Sequence, residues 1–247
     1  MLETKLRKKY QNKLSLQLMI RRRWAYLRYL HLRQGFLQTT GVKSFLSVGC
    51  GTGLAEVALS LEFPEVHFHL TDIDVEDGLK SRLGMRMVKE WSIPNVTCGS
   101  YDILNQTQAD YDFVGSVEVL EHIENDSLAV TNMKKAAKEY IFVLVPFATA
   151  KMNTDSTMLE RVWKNQQHYR VGYDSEKLKS FFSNIIMLRG CYWENSGSKL
   201  REQLENLSNE EIASSLVELT EFAKNDIHDL LPSNKNECYG IWVLAKV

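Results

Sequence analysis

The stretch Phe45-Leu46-Ser47-Val48-Gly49-Cys50-Gly51-Thr52-Gly53 holds the residues best suited to receive a ligand. An apolar run stops at alternating glycines, and an Ala/Leu/Glu-rich helical pattern starts at Leu54. That is a strand, a tight loop and a helix N-terminus, where a ligand can lie on bare main chain and meet free N–H groups. Nineteen residues after Gly53, a second apolar run (Val66 to Thr71) ends in Asp72. In an open α/β sheet a carboxylate there stands beside the glycine loop and can accept both hydroxyls of a ribose. Glycine loop plus acid is a nucleoside-binding arrangement.

The dinucleotide fingerprint G-x-G-x-x-G requires glycine at position 54, which is leucine, and no Gly-Lys-Ser/Thr follows to make a P-loop. Val48-Gly49-Cys50-Gly51-Thr52-Gly53 instead resembles the first motif of class I S-adenosylmethionine (SAM)-dependent methyltransferases. Further motifs follow in order: Asp72-Ile73-Asp74, Ser100-Tyr101-Asp102-Ile103, Tyr111 to Ser116 with Glu118 to Ile123, and Tyr140 to Pro146. The likeness covers roughly residues 40–190, with a last strand at Tyr239 to Lys246. It implies SAM as cofactor, with Gly49, Cys50, Gly51 and Gly53 forming the loop and Asp72, beside Ile73, holding the ribose. It also implies that Asp102 lies near the adenine amino group, between the apolar flanks Tyr101 and Ile103. Ser116 and Val117 close the fourth strand, where the family's backbone nears the methionyl part of the cofactor.

Methyl transfer from a sulfonium is an in-line displacement whose reactivity the cofactor carries, so the protein must mainly align the acceptor. A hydroxyl or carbon acid also needs a base. Glu118, Glu121 and His122 fall at the mouth that the methyl group should face. An imidazole suits proton removal near neutrality, so His122 is a candidate base, and Glu118 faces acceptor or cofactor, or else starts the next helix. His168-Tyr169-Arg170-Val171-Gly172-Tyr173 resembles a segment found after strand five in many members. His168 is a second candidate for base or acceptor ligand. Arg170 offers either a fork for an anionic acceptor or an internal ion pair. Phe147, Trp163 and Tyr169 can line an aromatic pocket or simply pack.

The elements that must position these residues alternate strand and helix, which predicts a doubly wound, mainly parallel, seven-stranded α/β sheet of the Rossmann-like methyltransferase type. Strands are expected at 44–48, 66–71, 95–99, 111–116, 140–145, 184–190 and 239–247. Helices are expected at 54–62, 75–91 (with Asp74 as cap), 125–138 and 175–182. Residues 1–40 are expected to form added helices or a cap, with the catalytic domain over 41–247. Helical insertions at about 147–172 and 197–230 are the spare material for an acceptor pocket. The family's glycine pair before strand five is replaced by Ala136-Ala137-Lys138-Glu139, so that turn should be reshaped.

Composition bounds the partners. The chain of 247 residues is 44% hydrophobic with a formal charge of −1, enough for one α/β domain with additions. No apolar run is long enough for a membrane-spanning helix, so no membrane insertion is expected. Cys50, Cys98, Cys191 and Cys238 lack metal-ligand spacing, and no HExxH or histidine cluster occurs, so no metal is expected. Free thiols fit a reducing, cytoplasmic setting. Residues 1–33 carry ten Lys/Arg against one acid, Glu3. Leu6, Tyr10, Leu14 and Leu18 give this segment helical spacing, so a packed helix is favoured over a targeting peptide. The near-neutral total charge argues against nucleic acid as partner. The expected acceptor is a small biosynthetic metabolite, methylated at oxygen before nitrogen or carbon. An RNA acceptor held by the basic start, and a SAM-binding scaffold without activity, are the rival readings. A homodimer is compatible with all of them.

Overall fold

The computed structural model describes residues 23–73, 82–105, 110–191 and 238–247, with 208, 211 and 227–228 besides. The helical spacing expected over Leu6 to Leu18, the cap at Asp74 and most of the 197–230 insertion lie outside these residues.

Eight strands form one sheet in the order β3-β2-β1-β4-β5-β8-β6-β7. They are β1 (Ser44–Val48), β2 (His67–Asp72), β3 (Val96–Ser100), β4 (Tyr111–Val117), β5 (Ala137–Pro146), β6 (Asn184–Cys191), β7 (Ile227–His228) and β8 (Gly240–Lys246). The first five pair in parallel, whereas β8 runs antiparallel between β5 and β6. The seven expected strands are therefore present. Two corrections concern their surroundings. The two-residue β7 falls within the stretch read as helical, and pairs with β6 through Gly190 and Cys191. The fifth strand starts at Ala137 rather than 140, because helix α4 (Asp126–Ala136) runs straight into it. Alanines where glycines were expected leave no left-handed residue to build a loop, so helix converts to strand between adjacent residues.

Period-two alternation divides the core between the two faces of the sheet. Phe45, Phe68, Phe113, Phe142 and Trp242 point to one face, and Leu46, Val114, Ile141, Val143 and Val243 to the other. The aromatic face is tightly set, with Phe45 against Phe113 at 5.1 Å and Phe142 against Trp242 at 5.3 Å between ring centroids. Helices α1 (Arg23–Phe36), α2 (Leu54–Glu62) and α3 (Leu83–Glu90) cover it. Tyr26, Leu30 and Leu32 of α1 are fully buried there, and a Cβ on Gly35 would meet the Phe142 ring at 2.6 Å. Over its described residues, the N-terminal addition is thus part of the core. Arg33 of α1 clamps Glu62 of α2 with both nitrogens, at 2.6 and 2.8 Å. Helices α4 and α6 (Ser175–Phe181) cover the aliphatic face.

The 147–172 connection contains a 3-10 turn, Met152–Thr154, and α5 (Ser156–Gln166). Asp155 caps α5 by accepting from the Thr157 and Met158 N–H groups, and Gln167 ends it in a left-handed conformation, φ 58°. No residue of α5 is buried, so the helix lies on the surface and serves chiefly to deliver the segment that begins at His168. Among the described residues no helix is long and apolar enough to cross a membrane.

Candidate active site

The strand order reverses between β1 and β4, and a crevice opens at the carboxyl ends of such a pair. Both wall segments start there. After β1 the chain turns through Gly49, Gly51 and Gly53 at φ 69°, 54° and 69°, a region closed to most other residues. The Cys50 N–H donates to Thr71 O at 2.8 Å, which ties the loop to β2, and burial pushes its thiol up and out of reactivity. A Cβ on Gly53 or Gly84 would strike neighbouring atoms at 2.8 and 2.6 Å, so α3 packs directly on the loop. Gly51 differs: among the described residues nothing lies within 4 Å of where its side chain would stand.

Asp72, at the end of β2, accepts the Gly51 N–H at 3.0 Å and the Ile73 N–H at 2.8 Å. Loop and acid are therefore in contact, as the sequence pattern requires. Arg82 also bonds both the Asp72 carboxylate and Gly51 O. Ile73 beside it is 64% exposed, an apolar surface large enough for one face of a ring. The Asp102 carboxylate is turned into its own loop, accepting from the Leu104 N–H at 2.9 Å and from the Asn105 amide. Tyr101 and Ile103 are buried with the aliphatic core. The side chains of that segment are thus committed to its own loop and to the core.

A bare-backbone cradle open at Gly51, with a carboxylate one hydrogen bond away, fits a nucleoside cofactor. Among the described residues, Arg82 is the side chain bonded to both Asp72 and Gly51 O, and it would have to yield or share them.

The second wall comes after β4. Ser116, paired in register with Val48, is buried with its hydroxyl unpartnered among the described residues, and Val117 is half-buried. Glu118 takes φ 54°, which is costly for a residue with a side chain. It is held there by its N–H donating to Leu144 O at 2.7 Å and by an ion pair with Arg28 of α1. Val119 then presses on the first wall, since a Cβ on Gly49 would meet its methyl at 2.6 Å. The 3-10 turn Leu120–His122 comes next.

His168 reaches this turn from α5. Tyr169 N–H donates to Glu121 O at 2.8 Å, and Tyr173 bridges to Phe147 alongside β5. Arg170 donates to Leu120 O and Ile123 O, both at 2.7 Å, to Glu124 O at 2.8 Å and to Tyr173 Oη at 3.0 Å, and faces Asp126 at 3.6 Å. Its fork is fully used inside the protein, so of the two expectations for Arg170 the internal one holds. Trp163 and Tyr169 meet edge to face at 4.9 Å on the surface, half exposed.

Glu118, His122 and His168, the three sequence candidates for chemistry, thus line one cavity of about 700 Å³. Arg28, Glu121 and Tyr239 line it too. The His122 and His168 rings sit edge to face, centroids 4.4 Å apart. Burial, followed by the neighbouring imidazole, holds His168 down to about 4, and burial lowers His122 also. Both rings are therefore neutral at pH 7. Burial pushes the Glu121 carboxyl up to about 8. Arg28 carried no signal in sequence, since it is one of many cations in the basic start and only packing of α1 brings it to the cavity.

The methyltransferase-domain family model matches residues 19–185. No curated protein sequence matches the chain. Among solved structures, phosphoethanolamine N-methyltransferase 2 of Haemonchus contortus in complex with S-adenosyl-L-methionine has a TM-score of 0.57 at 16% identity. That likeness covers 88% of this chain and 51% of the other, so this chain spans about half its length. Coclaurine N-methyltransferase bound to N-methylheliamine and SAH gives 0.58 at 16% identity, over 88% and 69% of the two chains. Magnesium protoporphyrin IX methyltransferase from Synechocystis with bound SAH gives 0.54 at 13%, over 91% and 84%. At these identities the likeness is one of fold.

Proposed function

The chain belongs to the class I SAM-dependent methyltransferases, and from that premise we propose that it methylates an oxygen of a small biosynthetic metabolite. When bound, the cofactor supplies an electrophilic methyl group on a sulfonium. The chain does the rest. Asp72 accepts the ribose hydroxyls, the 49–53 backbone holds the nucleoside, and exposed Ile73 covers one face of the adenine. The backbone of 101–103 and of 116–117 closes the remaining sides.

One observation carries the choice of acceptor. Val119 touches the glycine loop while Glu118 on one side of it and Glu121 and His122 on the other line a polar cavity. A cavity of about 700 Å³ is in the range of small-molecule sites. Its neutral imidazoles can accept the proton that a hydroxyl acceptor must lose. Glu118, fixed by Arg28, orients the acceptor or the cofactor's amino group. The hydroxyl proton leaves into the Glu121–His122–His168 cluster.

The test pairs calorimetric titration of the purified chain with SAM and a screen for S-adenosylhomocysteine release. The screen contains hydroxylated metabolites, amines and a short single-stranded RNA. Turnover with hydroxyl compounds, lowered about 10²-fold or more by His122→Ala, supports the reading. Turnover confined to amines removes the oxygen assignment, and turnover confined to RNA removes the small-molecule one. A chain that takes up no SAM removes the whole reading.

A further inference from the structure

Glu121, His122 and His168 each offer one ligand atom, and these atoms all lie within 4.8 Å of one another. Two of the atoms buried at this spot have no hydrogen-bond partner among the described residues. They are Glu121 Oε2, in a residue 1% exposed, and His168 Nδ1, in a residue 8% exposed. A carboxylate oxygen and an imidazole nitrogen left unpaired in the interior are costly, and native proteins pair the great majority of such groups. Here the two unpaired groups belong to the same cluster and border the same cavity.

We propose that Glu121, His122 and His168 bind a first-row divalent cation in the acceptor cavity. The donor set argues for its class. Two imidazoles and one carboxylate suit Zn²⁺, Co²⁺, Fe²⁺ or Mn²⁺, whereas Mg²⁺ and Ca²⁺ prefer oxygen throughout. Three protein ligands leave positions free for an outside oxygen, as in catalytic rather than structural sites. The ligands of such an ion stand about 3 to 3.5 Å apart, so small side-chain rotations close the present separations.

The backbone that carries the ligands is already fixed. Tyr169 N–H donates to Glu121 O, and the Arg170 guanidinium donates to Leu120 O and Ile123 O, so hydrogen bonds to carbonyls hold the backbone on both sides of the cluster. The charges agree as well. Arg28 is paired with Glu118, and among the described residues Glu121 has no ion pair of its own, so a cation would bind its ionised form without breaking one. Sequence spacing hid this site, because His168 lies far along the chain from Glu121 and His122. It runs against the expectation of a metal-free protein. What the cation would be used for rests on the methyl-transfer reading above: held by the three side chains, it would take over from them the activation of the acceptor hydroxyl by lowering its pKa, and the proton would leave to solvent through the cavity mouth. Where the cation sits does not rest on that reading.

The experiment uses the full chain stripped with a chelator and titrated with Co²⁺, followed by visible absorption and calorimetry, with SAM titrated separately. The expected result is one equivalent of Co²⁺, displaced by Zn²⁺, with Glu121→Gln and His168→Ala each weakening it by about tenfold or more. SAM affinity should stay within about twofold of the parent in both variants. Should His168→Ala fail to fold, His122→Asn, the more exposed ligand, gives the same reading. A stripped chain that takes up no Co²⁺ at millimolar concentration overturns the proposal. So does Co²⁺ uptake that all three variants leave unchanged. Co²⁺ binding without SAM binding would instead sink the methyl-transfer reading and leave the cation site standing.

Discussion

The two walls of the crevice are made of different material. The wall after β1 is main chain, with three glycines in left-handed conformations and a single carboxylate, Asp72, drawn from the next strand. The wall after β4 is side chain, assembled from α1 (Arg28), the turn at 118–122 and the loop after α5 (His168). A main-chain wall presents the same N–H groups whatever surrounds it, so the residues that make it are adjacent in sequence. A side-chain wall depends on distant segments being held together. It carries its own electrostatic cost in buried Glu121 and His168. The first suits a component common to many enzymes, and the second suits whatever distinguishes this one. If the contrast is real, the two walls should fail separately.

The largest expected effect is on the side-chain wall. Arg170→Met removes the donors to Leu120 O, Ile123 O and Glu124 O together with the partner of Asp126. Stranding a buried carboxylate and several carbonyls should cost about 3–5 kcal/mol. Urea unfolding should show that loss, and the folded fraction should lose acceptor turnover while keeping its SAM affinity. A parallel fall in SAM affinity would mean that the walls act as one unit.

The counterpart on the main-chain wall is Asp72→Asn. Loss of a charged acceptor should cost about 1.5–3 kcal/mol of cofactor binding, a roughly 10- to 100-fold rise in Kd. The cavity of the second wall should not notice, and unchanged Co²⁺ titration of the variant is the measurement that says so. Unchanged SAM affinity would take Asp72 out of the site.

Acid should act through α1, which carries Arg28 to the second wall. Burial alone holds His31, 2% exposed, down to about 3. Unfolded, the same imidazole titrates near 6.5. The unfolded chain therefore binds the extra proton over the whole interval, and stability is lost as pH falls from about 6.5 toward 3. Between pH 6.5 and 5 that amounts to about 2 kcal/mol. His168 adds a slope of the same sign over the same interval, whereas Glu121, pushed up to about 8, opposes it by favouring its protonated form. The informative quantity is thus the difference between parent and His31→Leu in urea midpoint at the two pH values. A difference that does not change with pH would contradict the burial account.

How much of this could be read from sequence obeys the same division. The seven long strands were legible because their apolar runs are bounded by turns, and the loop at 49–53 because glycine alternation has few other uses. Ile227–His228 was not legible, since two residues carry no periodicity. The early start of β5 was partly legible, from Ala136-Ala137 replacing glycines. At the second wall, sequence named Glu118, His122 and His168 one by one but could not join them. Their meeting depends on α5 ending at Gln167 and on Tyr169 docking against Glu121. Arg170 had two chemically equal uses in sequence, and only the carbonyls around it decide between them. Asp102 illustrates the converse: its position fits the motif while its carboxylate is engaged by Leu104 and Asn105.

The smallest effect is the most discriminating. Gly49→Ala and Gly51→Ala both force a side chain into left-handed backbone, φ 69° and 54°, for a strain of about 1–2 kcal/mol each. Gly49→Ala adds a collision with Val119 at 2.6 Å, so it should disturb both walls at once and lower stability further. Gly51→Ala meets nothing within 4 Å among the described residues, so its cost to the free protein should stop at the strain. Any additional loss of SAM affinity in Gly51→Ala must then come from a ligand lying where the methyl points. Comparing its unfolding midpoint with its calorimetric Kd separates the two contributions. A variant destabilised by about 1 kcal/mol yet binding SAM as tightly as the parent would show that the nucleoside lies away from this loop, and the division between a main-chain wall for cofactor and a side-chain wall for acceptor would have to be abandoned.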